Sequence, residues 1–275
     1  MQQNPLQQYF RRPSVYLKLP SSGAGYPEGA LDLPENGEIP IYPMTAIDEI
    51  TARTPDALFN GNAVVEIIKS CAPNIKDPWV VSNVDLDPIL VAIKTATHGG
   101  SMELSSSCPK CDETSDYTIN LSGVLGSFSP GDYETPLSLG NDIKIKFKPL
   151  SFKLINETSM KQFQFQKGIQ GLALITDDEE RNQKSKQILF ELNTLSTQML
   201  AESIEYIKVP TATVMDKIHL IEFLNNIDVS AFDLIKNHSI KLKQSTESKP
   251  LKIKCVHCQH DYEQPFSINV SDFFA

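Results

Sequence analysis

The chain has 275 residues and a mass of 30.6 kDa, and 40% of its residues are hydrophobic, enough for one large domain or two of ordinary size. Its 34 acidic residues outnumber 25 basic ones, and the net charge of −9 argues against broad nucleic-acid binding, which needs a basic surface. No apolar run approaches the roughly 20 residues that span a bilayer, and the first residues lack the order of a secretory signal. We therefore expect synthesis in the cytoplasm and no membrane insertion.

The first 37 residues are rich in proline, glycine, serine and glutamine. Strings such as Leu19-Pro20-Ser21-Ser22-Gly23 are typical of turns, and few positions here favour burial in a core. The sequence therefore predicts an extended N-terminal arm over residues 1–37. We expect this arm to be mobile in the isolated protein and to become ordered against a partner.

Residues 38–138 carry the capping and turn signals of short strands and helices, and we predict that they form a first half of the protein. The elements expected in this half are a strand at 39–42, a helix capped by Thr45, a helix from Asp87 to about Thr97 and a strand at 117–121. Asp87 is the expected N-cap of its helix because Pro88 suits the first helical position.

Residues 139–275 repeat that order of elements and are predicted to form a second, related half. The expected elements are a strand at 143–148, a helix after Ser151, a helix that opens at 227–230, and a strand at 266–270. A helical insertion at 176–207 is added, with Thr176 and Glu179 as its capping box. The sequence thus indicates an α+β fold built from two related halves with short strands and helices.

Four of the five cysteines form two Cys-x-x-Cys pairs. Each pair is expected on a tight turn between strands, so that both sulfurs point to one place as zinc ligands. The pairs are separated by 143 residues, whereas a simple zinc ribbon separates its pairs by roughly 15–20. Two related halves that face each other would bring the turns together at a pseudo-two-fold axis. We therefore predict one structural zinc in a zinc-ribbon-like site formed by Cys108, Cys111, Cys255 and Cys258.

Other interpretations of the cysteines remain open at this level. A structural iron centre would use the same four ligands, although zinc is the more frequent occupant of such sites. A redox pair or unligated turn cysteines are less favoured, because redox motifs begin a helix in a βαβ pattern that this sequence lacks. Cys71 follows an apolar helical stretch and is expected to be a buried small hydrophobic residue. The nearby or equivalent histidines are interpreted as surface or capping residues: His98, His238, His257 and His260.

Catalytic signatures are absent from the sequence. It contains no H-E-x-x-H, G-x-S-x-G, G-x-x-x-x-G-K-[ST] or G-x-G-x-x-G motif. The acidic run at 177–180 is interpreted as the first turn of a solvated helix, where the helix dipole favours negative charge. We expect a protein that is not an enzyme and has no small-molecule substrate.

A string of short motifs in the first 125 residues or so carries a family resemblance. The motifs are Phe10-Arg11-Arg12-Pro13, Leu19-Pro20-Ser21-Ser22-Gly23, Tyr26-Pro27, Ile39-Pro40-Ile41-Tyr42-Pro43-Met44-Thr45 with Asp48-Glu49, and Cys108-Pro109-Lys110-Cys111. In this order they resemble the baseplate (hub) proteins of contractile-tailed bacteriophages.

The resemblance implies a virion structural protein of the tail baseplate, made in the cytoplasm of the infected host. Its expected partners are other baseplate or tail proteins, contacted through protein–protein surfaces. An assembly factor that is absent from the mature particle is the first alternative. A zinc-ribbon adaptor that binds nucleic acid is a less favoured one.

Overall fold

The computed structural model describes residues 4–53, 61–140, 142–173, 175–268 and 273. This part of the chain combines helices with short antiparallel strands, which confirms the α+β class. The chain divides into two compact units, residues 1–131 with 245–275 (unit 1) and residues 132–244 (unit 2). The predicted boundary at residue 138 thus falls inside unit 2. Residues 245–275, which are predicted to belong to the second half, group instead with the N-terminal part of the chain. The relationship between the two sequential halves stays a prediction.

Unit 1 contains most of the elements on which the candidate site depends, and strands and helices are numbered along the whole chain. Its elements are β1 (Val15–Lys18), β2 (Glu38–Ile41), α1 (Ala46–Ala52), α2 (Asn62–Cys71), α3 (Asn83–His98), β3 (Ser101–Ser107), β4 (Thr114–Asn120), α4 (Leu121–Leu125), β9 (Leu251–Lys254) and β10 (Asp261–Gln264). Three antiparallel pairs, β1–β2, β3–β4 and β9–β10, make up its strands in the described residues.

Helix α3 forms the centre of the unit 1 core. Its five consecutive residues from Ile89 to Ile93 are all fully buried, as is typical of a helix that is covered on every side. Helix α2 contributes Ile67 and Ile68, and β2 contributes two isoleucines on one face of the strand. The alternation of buried and less buried residues along β2 shows that one face of this short strand packs on the core.

The N-terminal segment packs on this core from Val15 onward, where the sequence predicts an extended arm over residues 1–37. Its mobility in the isolated protein stays a prediction. Strand β1 pairs antiparallel with β2, from Val15 opposite Ile41 to Lys18 opposite Glu38. Leu17 and Leu19 are buried in unit 1. Other apolar side chains of the segment, such as Tyr9 and Phe10, are exposed, so a small number of buried residues joins it to the core.

Arg11 anchors the start of the segment. Its guanidinium donates hydrogen bonds to the carbonyl oxygens of Pro43 (2.5 Å) and Ser70 (2.7 Å) and lies 3.4 Å from Asp48 Oδ2. The same Asp48 oxygen accepts from the Thr45 amide at 2.7 Å, and the Thr45 side chain accepts from the Asp48 amide. The helix cap predicted at Thr45 is confirmed, and its partner carboxylate also holds the N-terminal segment by charge.

Helix α3 starts five residues earlier than predicted. It begins at Asn83 after Ser82, so Asp87 is not its N-cap and Pro88 lies inside the helix. Proline lacks an amide hydrogen, so α3 continues through Pro88 without the backbone hydrogen bond that another residue would donate there. The acidic residue that matters at this end is Asp85, which lies in the first turn.

Asp85 is fully buried and binds the N-terminal segment. Its carboxylate accepts hydrogen bonds from the Ser21 amide (2.8 Å), the Ser21 hydroxyl (2.5 Å) and the Tyr26 hydroxyl (3.0 Å). Burial raises the pKa of Asp85 from 3.8 to about 6, although the hydrogen bonds from Ser21 and Tyr26 oppose the rise. Burial, and then the adjacent carboxylate, raise the pKa of Tyr26, so this residue remains a hydrogen-bond donor at neutral pH.

Unit 2 is built on a four-stranded antiparallel sheet in the order β5-β6-β7-β8. Its elements are β5 (Leu137–Leu139), β6 (Ile143–Phe147), α5 (Phe152–Leu172), α6 (Asp178–Ser203), β7 (Ile204–Val209), β8 (Ala212–Val214), α7 (Lys217–Asn226) and α8 (Val229–Thr246). Helices α5 and α6 run antiparallel, since Thr158 contacts Met199 while Gly168 lies beside Ile188. No described helix has the length and apolar character to cross a membrane.

Several predicted boundaries change in the structure. The strand at 143–148 and the Ser151 cap are confirmed, but α6 is capped by Asp177, whose side chain accepts from the Glu180 amide. The capping box was therefore placed one residue too early. The last strand lies at Asp261–Gln264, next to the second cysteine pair, and residues 266–268 form no strand. The rest of that predicted strand, 269–270, lies outside the described residues.

The titration of Asp85 makes the stability of the protein depend on pH. Between about pH 4 and pH 6 the native state holds a proton that the unfolded chain has released, so the unfolding free energy falls as pH rises. From about pH 5 to pH 7.5 the expected loss from this group is about 1 kcal/mol. Urea unfolding at both pH values should show this loss in the wild type and not in Asp85→Asn. The exposed Asp233→Asn serves as control, and an equal loss in Asp85→Asn would contradict the assignment.

Candidate metal centre

The two Cys-x-x-Cys turns have the same backbone design. The Cys108 amide donates to the Glu113 carbonyl at 3.0 Å, and the Cys255 amide donates to the His260 carbonyl at 2.9 Å. These bonds close the β3–β4 and β9–β10 hairpins at positions 147 residues apart in the sequence. The two turns are thus local copies of one another.

A residue with a left-handed backbone conformation follows each pair of cysteines. Asp112 and Gln259 both have a φ of 58°, and each donates its amide hydrogen to the carbonyl of the first cysteine in its pair. The first cysteine's sulfur also accepts from a backbone amide in the turn, that of Lys110 or Cys258, at 3.5 Å in each case. Such amides stabilise negative charge on sulfur, as a thiolate metal ligand requires.

The four thiols predicted as ligands come together in unit 1. The Sγ atoms of Cys108 and Cys258 are 3.7 Å apart, and those of Cys111 and Cys255 are also 3.7 Å apart. All four sulfurs lie within 4.8 Å of one another. Zinc–sulfur bonds of about 2.3 Å in a regular tetrahedron require sulfurs about 3.8 Å apart. The observed spacing therefore fits four-coordinate binding of one metal ion.

The thiols are not equivalent in their ionisation. The Cys258 amide, and then that of His257, lower the pKa of Cys255 to about 6, which favours its thiolate form. For Cys111 the Glu113 amide lowers the pKa, but desolvation and the three neighbouring thiols outweigh it and raise the pKa to about 12. A bound metal cation would lower the pKa of all four thiols, because it favours the thiolate form of every ligand.

A polar contact away from the sulfurs also joins the hairpins. The hydroxyl groups of Ser106 in β3 and Tyr262 in β10 are 2.7 Å apart, and Ser106 is buried. This pair was not identified from the sequence. Ser106 lies two residues before Cys108, and Tyr262 lies four residues after Cys258. Neither position is recognisable in the sequence until the hairpins are known to face each other.

The remaining cysteine and the histidines lie elsewhere. Cys71 is fully buried at the end of α2, as predicted, and is not part of the cluster. Among the described residues no histidine belongs to a potential metal-binding group. His238, expected at the surface or as a cap, instead packs on Phe147 in unit 2, with ring centroids 5.1 Å apart.

The fold and the cluster define an α+β protein in which four thiols connect two hairpins that are distant in sequence. A family model described as "T4 bacteriophage base plate protein" matches residues 26–275. The chain therefore belongs to this family of phage baseplate proteins, and the predicted resemblance is confirmed. The match extends well beyond the first 125 residues. No significant match was found among curated proteins or solved structures.

Proposed function

We propose that this chain is a structural component of a contractile phage tail baseplate, acts through protein–protein contacts and is stabilised by one structural zinc. The observation that carries the zinc assignment is the sulfur spacing of Cys108, Cys111, Cys255 and Cys258. Family membership carries the assignment to the baseplate. On this proposal the protein resides in the virion tail, and its partners are other baseplate or tail proteins.

Four thiolates suit zinc or iron in a tetrahedral site, and zinc is the more frequent occupant of such sites. A four-thiolate zinc site is closed and has a structural role. A closed shell leaves no position for substrate or water, which agrees with the lack of catalytic motifs in the sequence. We therefore infer that the protein is not an enzyme.

A bound metal ion would stabilise the two hairpins, which bury few apolar side chains of their own. The β3–β4 and β9–β10 hairpins are separate two-stranded sheets, and most of their residues are exposed or half-buried. Isolated two-stranded hairpins are marginally stable in water. A structural ion adds its binding energy to folding, so the shared ligand set would hold both hairpins in place.

Metal analysis of the purified full chain tests the zinc proposal. We expect one zinc per chain, and we expect Cys255→Ser to weaken zinc binding by more than the roughly 10- to 100-fold seen for changes to outer-shell partners. The measurement is zinc content and competition with a chromogenic chelator. Cys71→Ala is the matched control, because this buried cysteine is outside the cluster and should keep one zinc. An iron content of one per chain, or unchanged zinc affinity in Cys255→Ser, would contradict the proposal.

Mass spectrometry of purified virions tests the structural role. A component of the baseplate should be present in mature particles in fixed proportion to known tail proteins. Its detection only in unfinished assembly intermediates would favour the assembly factor. A gel shift with DNA that weakens steeply with salt would instead be required of the nucleic-acid adaptor.

A further inference from the structure

A groove of about 410 Å³ lies between the two cysteine-bearing hairpins of unit 1. One wall is formed by consecutive residues of β4, Tyr117 to Asn120, and the other by consecutive residues 249–254, which include β9. The floor includes Gly123 and Val124 of α4. Because consecutive residues line both walls, the edges of the two strands border the groove, rather than one face of each.

Both strand edges lack a neighbouring strand. Within the described ranges, β4 pairs only with β3, and β9 pairs only with β10. Backbone groups on such an edge are available to an added strand, which is a common mode of peptide recognition.

The hydrogen-bond register identifies which backbone groups face outward. The bonds from Cys108 to Glu113 and from Leu121 to Gly100 place the hydrogen-bonded pairs of β3–β4 at odd-numbered positions of β4. The amide and carbonyl groups of Thr118 and the amide of Asn120 therefore point away from β3, whereas the Asn120 carbonyl accepts the first hydrogen bond of α4. The bond from Cys255 to His260 sets the register of β9–β10 in the same way. It directs the backbone groups of Lys252 and Lys254 away from β10.

The apolar and the basic side chains at the groove lie on different faces of the strands. Ile119 and Ile253 are buried, whereas Lys252 and Lys254 are exposed on the opposite face of β9. Lys249 also lines the groove, and no acidic residue does. The groove is thus locally basic in a chain with a net charge of −9. Glu263 and Asp261 lie opposite the two exposed lysines across the β9–β10 hairpin, but neither lines the groove.

We propose that this groove binds an extended acidic segment of a partner protein, which adds a strand between β4 and β9. Outward amides and carbonyls of both strands would bond its backbone. Its acidic side chains would face the lysines, and its alternate residues would be apolar and face the isoleucine side. The inference rests on the proposed role of the zinc, because the four-thiol cluster is what holds the two walls in place.

A labelled peptide provides the test. The probe is a fluorescein-labelled peptide of about eight residues that alternates valine with glutamate, and fluorescence anisotropy measures its binding to the full chain. We expect saturable binding that weakens with salt. The same peptide with N-methylated backbone amides should bind at least about tenfold more weakly, because it cannot donate hydrogen bonds to the strand edges. A peptide that alternates valine with lysine should show no saturable binding.

Variants of the protein link binding to the groove. Lys252→Gln/Lys254→Gln should weaken peptide binding about fivefold or more, while Lys69→Gln on the surface of α2 should change it less than about twofold. Glutamine is chosen because glutamate would face Glu263 and Asp261 across the hairpin. The double variant should retain its zinc content. Cys255→Ser should lose both zinc and peptide binding.

The outcomes distinguish the two proposals. If the wild type holds one zinc but does not bind the peptide, or binds the N-methylated form equally well, the groove proposal is wrong and the metal site stands. Equal binding by the double lysine variant would also overturn the groove proposal. If the chain holds no metal yet binds the peptide in a lysine-dependent way, the groove is supported and the structural zinc is not.

Discussion

The convergence of four thiols is the physical feature that links the two cysteine-bearing hairpins of unit 1. The hairpins place Cys108 and Cys255 at equivalent points of equivalent turns, although 147 positions separate them. Within the described part of the chain neither hairpin has a third strand, and isolated two-stranded hairpins are marginally stable. The cluster and the contact between Ser106 and Tyr262 join the two, and the groove between β4 and β9 exists because of this junction.

Polar anchors hold the N-terminal segment of unit 1 in place. Arg11 and Asp85 are far apart in sequence, yet each fastens the N-terminal segment to a helix through several hydrogen bonds. The segment has few apolar side chains to bury, and such networks stabilise a unique position when every member is satisfied. A chain rich in proline and glycine can therefore be ordered without a large apolar contribution of its own.

Local patterns explain which features could be predicted from the sequence. The Thr45 cap and the position of both cysteine turns depend on residues within three or four positions of each other, and these were correct. The sequence places the beginning of α3 at Pro88, because proline is frequent at helix starts. The helix begins earlier, at Asn83, and so includes Asp85, whose burial depends on residues distant in sequence. Packing of the N-terminal segment and the discontinuous unit 1 depend on contacts between distant residues, which composition and periodicity do not encode.

The discontinuity of unit 1 bears on how the protein is made by the ribosome. At translation rates of about 5–20 residues per second, the second cysteine pair is synthesised roughly 7–30 s after the first. During that interval unit 2, residues 132–244, is synthesised, and it contains all four strands of the β5-β6-β7-β8 sheet. Cys108 and Cys111 meanwhile lack the second cysteine pair beside which they lie in the folded protein. The four-thiol cluster can therefore form only after the whole of unit 2 has been synthesised.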